Sequence, residues 1–132
     1  MAGWYILDEN HNPIPEPDTV KASLFFGNFE QRCVAQHEIG DAHVSTVFLG
    51  LDHNFSNEGP PLLFETLVQG GTLEHMDRYA TWQEAVAGHF TILRALADTL
   101  GKPLMEVLKE VTPQKEPLPP VKTKYERLLE DE

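Results

Sequence analysis

Hydrophobic positions along this chain change period several times, and each change marks an element. Trp4 to Leu7 reads as a short strand. A turn-rich Asp8-Glu9-Asn10-His11-Asn12-Pro13 follows, and Ile14 resumes an extended piece that Pro13, Pro15 and Pro17 hold out of helix. Val20, Leu24, Phe25 and Phe29 then recur at helical spacing behind Asp18, a residue suited to capping, which predicts a helix over 18–29. From Arg32 the period falls to two. The stretch 33–39 reads as a strand, Gly40-Asp41 as a tight turn, and 43–49 as the next strand. Val44, Thr46 and Phe48 lie on one side of that second strand, and Ser45, Val47 and Leu49 on the other. Gly, Asn, Ser and Pro make 50–61 a loop, and 62–68 is a third strand with Leu62, Phe64, Thr66 and Val68 on one face.

The strongest local signal is Thr81-Trp82-Gln83-Glu84. It has the form of a capping box, in which the Thr hydroxyl takes the Glu84 amide and the carboxylate reaches back to the Thr amide. Trp82, Ala85, Val86, His89, Leu93, Leu96 and Leu100 follow at helical spacing, and Gly101 supplies the stop. Pro103 suits the first position of a further short helix carrying Leu104, Val107, Leu108 and Val111. These elements predict one α+β domain over 1–111: an antiparallel sheet of three to four strands packed against one long and one shorter helix. Four prolines between 113 and 120 predict a stiff extended arm over 112–132, ending in Tyr125, Leu128, Leu129 and Glu130-Asp131-Glu132. That arm is expected to pack against another copy of the chain or a partner.

Composition narrows the functions. At 132 residues the chain is long enough to bury a core of its own. It holds 21 acidic and 10 basic residues, a net charge of −11, and such a field repels nucleic-acid phosphates. An acidic surface can instead meet a basic one on another protein. No apolar run approaches a membrane span or a secretion signal, and Cys33 is the single cysteine. A reducing cytoplasm is the expected setting, with neither membrane nor direct nucleic acid as partner.

No phosphate-binding glycine loop, Cys-His zinc spacing, HExxH or GxSxG occurs. Two candidate constellations remain. Asp52 and His53, at the end of one apolar run, and Glu65, inside the next, are residue types for a base with an orienting carboxylate, the basis of a small acid–base or metal-dependent hydrolase. His43, Asp52, His53 and His75, with Glu65, are metal-competent types on one stretch. Against these, Asp52 and His53 serve equally to satisfy the backbone of the 50–61 loop. A Glu65 carboxylate on a buried face demands a partner, for which Arg32, His43 and Arg78 are the candidates. His89 on an apolar helix face reads as a hydrogen-bonded core residue, and Cys33 as a packing residue. No cofactor is implied.

Three segments carry a resemblance: VSTVFLGLDHNF (44–55), PPLLFET (60–66) and RYATWQEAVAGH (78–89). They resemble a family of small proteins from bacteriophages and prophages, whose WYxLDxxxxPxP-like opening is met here by Trp4 to Pro15. The resemblance spans about residues 3–93, and Val68-Gln69-Gly70-Gly71 departs from the aromatic and glycine that members carry after the FET strand. It implies a phage or prophage origin and brings no activity, fold or catalytic residues. By analogy with small acidic phage proteins, it implies a non-enzymatic protein that binds a host or phage protein partner, such as host machinery or a defence complex. The alternatives are the hydrolase built on Asp52, His53 and Glu65, and a self-associating structural component, a homo-oligomer.

Overall fold

A computed structural model describes residues 3–56, 58–71 and 75–110. The architecture is α+β, as the pattern predicts. Strands β1 (Tyr5–Leu7) and β2 (Pro13–Pro15) form a small antiparallel hairpin. Four principal strands follow: β3 (Cys33–Ile39), β4 (Ala42–Phe48), β5 (Phe64–Gln69) and β6 (His75–Tyr79). The short β7 (Leu108–Glu110) completes an antiparallel sheet in the order β6-β5-β4-β3-β7. Helix α3 (Trp82–Leu100) lies across one face of this sheet and touches β3, β4, β5 and β6.

The expected helix over 18–29 is divided. Helix α1 (Thr19–Phe26) is capped by Asp18, whose carboxylate accepts from the amides of Val20 at 2.9 Å and Lys21 at 3.3 Å. Gly27 and Asn28 end it, and a single turn, α2 (Phe29–Arg32), follows. The interruption has a tertiary reason, because ending at Phe26 lets Phe25 and Phe26 both turn onto Phe48. Gly50 receives the Phe26 ring at such close range that a Cβ there would lie 1.8 Å from Cζ. With φ at +79° as well, only glycine suits that position.

Two further departures concern strands. Nothing in His-Met-Asp-Arg-Tyr alternates between apolar and polar, yet β6 forms, because its pairing with β5 is a backbone interaction and its first three side chains face solvent. The second short helix, expected to run from 104 to 111, stops as α4 (Leu104–Val107), and 108–110 cross to pair with 37–39 on β3. Competition from an open strand edge outweighs weak local helix preference in so short a segment. The arm expected over 112–132 lies outside the described residues.

The cap of α3 forms with one change of partner. Thr81 Oγ1 accepts from the Glu84 amide at 3.1 Å, but the Glu84 carboxylate receives the Thr81 hydroxyl at 3.0 Å, not the Thr81 amide. Gly101, at φ +66°, closes the C-terminus.

Beneath α3 the core falls into two apolar clusters. One gathers Ile39, Ala42, Val44, Val68, Ile92, Leu93, Leu96 and Ala97; the other gathers Leu7, Phe48, Leu63, Phe64 and Ala85. The strand and helix periods place the boundary between them. Val44 belongs to the first and Phe48 to the second, with Thr46 between; Val68 and Phe64 flank Thr66 in the same way. On α3, Ala85 and Leu93 flank His89 one turn away on either side. A polar layer therefore crosses the middle of an apolar core.

Candidate functional site: a buried histidine–threonine layer

Thr46 and Thr66 are directly opposed in the β4–β5 register, and both are fully buried. Their hydroxyls lie 2.5 Å apart. Thr46 Oγ1 is also 2.7 Å from His89 Nδ1, and His89 Nε2 is 2.8 Å from His37 Nδ1 on β3. His89 has no exposed surface. Burial, and after it the neighbouring His37, drives its pKa down to about 3, so the ring is neutral at ordinary pH.

A neutral imidazole donates through one nitrogen and accepts through the other, so the run has two self-consistent proton orders. In one, His37 donates to His89, His89 to Thr46 and Thr46 to Thr66. In the other, every donation is reversed. Either order satisfies both His89 nitrogens in a place where one unpaired polar atom costs about 1–3 kcal/mol. The layer thus joins β3, β4, β5 and α3 at one point and demands one register among them.

Tyr79 ends the layer on the β6 side. Its hydroxyl is buried beside Thr66 without a hydrogen bond of normal geometry. Burial raises its pKa; the Thr66 hydroxyl opposes this and Asp77 adds to it. The ring passes directly over Gly88, where an added Cβ would come within 2.3 Å of the hydroxyl. The depression lined by Glu38, Leu100 and Val107 and the one lined by Asp8, Phe25 and Trp82 include no residue of this layer. Such an arrangement orients the strands and α3 relative to one another and specifies their register.

The candidates read from the sequence lie elsewhere and are engaged separately. Asp52 holds the loop closed, its carboxylate accepting from the amides of Asn54 at 2.7 Å and Leu62 at 2.9 Å. His53 donates from Nδ1 to the Leu51 carbonyl at 2.8 Å and lies beside the Phe55 ring. Glu65 is the cross-strand partner of Arg78 and meets its Nε at 3.1 Å, which selects Arg78 among the three candidate partners. No hydrogen bond or ion pair joins Asp52 or His53 to Glu65. His43 faces Glu38 at 3.8 Å, and His75 faces Asp77 at 3.1 Å. The four residues of the metal reading (His43, Asp52, His53 and His75) are not gathered, and no group of three or more His, Cys, Asp or Glu able to hold a metal occurs among the described residues. The Cys33 thiol is pushed up to about 11 by burial, against a smaller opposing effect of Arg32, and so is a poor nucleophile.

Of the layer, the sequence signalled His89 as a hydrogen-bonded core residue but not its partners. The available signal was one threonine at the centre of each inward-facing strand pattern, with His37 on the inward face of β3. Pairing these across sequence distances of 20 to 52 residues needed the strand register and the seat of α3.

At the hairpin end lies a groove of about 560 Å³, lined by Asp8, Glu9, Glu30, Phe25 and Trp82 among others. His11, at φ +64°, stacks on Trp82 with ring centroids 3.9 Å apart. No helix among the described residues is long and apolar enough to cross a membrane. Comparison of the chain with protein-family models, with curated proteins and with solved structures gives no match.

Proposed function

We propose that the chain is a non-enzymatic protein-binding module, of phage or prophage origin, that docks onto a protein partner in the host. The observation that carries this reading is the outer side of α1. Ala22, Phe25 and Phe26 turn that helix inward, yet Val20 and Leu24, one turn apart on the opposite side, are 66% and 73% exposed. A helix that exposes apolar side chains while its other side is anchored presents a rigid, pre-organised contact, and rigid anchors lose little entropy on association. The acidic groove with Asp8, Glu9 and Glu30 opens beside Phe25 on the same helix. An apolar ridge next to carboxylates suits a partner that offers an apolar pocket rimmed by basic residues.

The experiment is capture from host lysate with wild-type protein and with Val20→Asp and Leu24→Asp, followed by reconstitution with the purified partner. The expected result is one stoichiometric partner whose affinity falls at least about tenfold in each variant, or about 1.4 kcal/mol, with thermal stability unchanged. Undiminished capture by both variants refutes the α1 surface. Concentration-dependent dimerisation that both variants abolish would make a second copy the partner instead.

A further inference from the structure

Strand β6 ends the sheet. Its inner side pairs with β5 along its whole length, and among the described residues no strand pairs with its outer side. Such an edge presents backbone N–H and C=O groups that can pair with another chain. Its first residues stand in solvent: the His75 and Asp77 side chains are 40% and 55% exposed, and Met76 is 50% exposed. His-Met-Asp-Arg-Tyr holds no proline and no lysine, and its register on β5 runs without a bulge, so three devices that commonly blunt an edge are missing from β6. The strand is also held in order. On one face Arg78 Nε meets Glu65 at 3.1 Å and its Nη2 reaches Met76 Sδ at 3.8 Å; on the other, His75 Nε2 lies 3.1 Å from Asp77 Oδ2.

We propose that β6 pairs antiparallel with β6 of a second copy of this chain about a two-fold axis at Met76, so that one sheet continues through both copies. The side chains of the strand favour this occupant and this register. A two-fold antiparallel pair sets one residue opposite its own copy, and the choice of that residue fixes every other pair. Centred on Asp77 or on Arg78, the pair opposes two like charges, which is destabilising. Centred on His75 or on Tyr79, it leaves most of β6 unpaired. Centred on Met76, it sets two thioether side chains together on one face. On the other face it sets the His75 imidazole of each copy opposite the Asp77 carboxylate of the other. His75 and Asp77 already touch within one strand, so the four side chains alternate imidazole and carboxylate around a square. Each carboxylate then lies between two imidazoles. Both kinds of antiparallel residue pair, hydrogen-bonded or not, accept a two-fold at Met76. The ordered strand pays little entropy on pairing, and its backbone groups supply the affinity while the His–Asp pairs supply the register.

The test uses the full chain at about 0.15 M salt, where a Debye length of about 8 Å screens the net charge of −11 on each copy. Sedimentation equilibrium should show a reversible dimer in the wild type and in Leu24→Asp, since Leu24 is on α1 and the α1 contact proposed above is a separate surface. His75→Asp opposes two carboxylates at both ends of the pair and should weaken the dimer at least about tenfold. Adding Asp77→His to it restores unlike pairs and should restore association. The register is read by cross-linking. Opposed residues at the two-fold have Cα atoms about 4.5–5.5 Å apart, within disulfide range, so Met76→Cys should give a disulfide-linked dimer on mild oxidation. Met105→Cys, at an exposed position on α4 (84%), measures the rate of chance collision, and the buried Cys33 thiol, pushed up to about 11, reacts slowly. A wild type that stays monomeric up to about 1 mM overturns the pairing. So do equal cross-linking rates at the two cysteines, a dimer that His75→Asp leaves intact, and a dimer that Leu24→Asp abolishes; the last assigns the contact to α1.

Discussion

Replacing His89 with Gln tests the buried layer most directly, through the pH dependence of stability. Burial lowers the folded-state pKa of His89 to about 3, whereas in the unfolded chain it titrates near 6.5. Below about 6.5 the unfolded state therefore binds a proton that the native state refuses, and stability falls with pH. The contribution is fully present above pH 6.5 and is lost progressively toward pH 3. Between pH 7 and pH 5 the loss is about 1.4 proton-linked pH units, or about 2 kcal/mol. His37 faces the ring and remains in both proteins, so the comparison reads the proton binding that is lost with the His89 ring and its coupling to His37. Urea unfolding followed by tryptophan fluorescence at half-unit pH steps supplies the stabilities. His89→Gln should be the less stable protein at pH 7, since its amide cannot reach both Thr46 and His37 as the ring does. The gap should narrow by about 2 kcal/mol on going to pH 5, because only the wild type carries the penalty. Parallel stability lines for the two proteins across that range would refute the neutral, buried assignment of His89.

Two other substitutions test neighbouring parts of the structure. Gly88→Ala forces a methyl into the Tyr79 ring and should cost about 1–3 kcal/mol; in a Tyr79→Ala background the same change should cost much less, which a double-mutant cycle by chemical denaturation reads directly. Thr81→Ala removes the oxygen that accepts from the Glu84 amide and should lower stability by about 1 kcal/mol, visible as a drop of a few degrees in Tm, while Gln83→Ala on the same turn should change little.

Much of this fold is local and therefore legible in one chain. A capping threonine, an apolar stripe at helical spacing and a following glycine define α3, because each acts within a few residues of its target. Alternation defines β3, β4 and β5, because side-chain direction in a strand depends on parity alone. The α+β class follows from these elements, as does the role of His89 as a core histidine.

What tertiary structure decided are the features whose causes lie far apart in sequence. Strand β6 has no patterning of its own and exists because β5 offers it a paired edge. Strand β7 replaces the last turn of an expected helix because β3 offers another. Asp52, His53 and Glu65 share a region of chain, yet each is taken by its nearest partner: a loop amide, a carbonyl and Arg78. Thr46, Thr66, His37 and His89 share nothing in sequence, and only the strand register with α3 laid across it brings them within hydrogen-bonding distance. Short-range preferences write the elements, whereas the cost of an unpaired polar group in a dry core chooses which distant residues must meet.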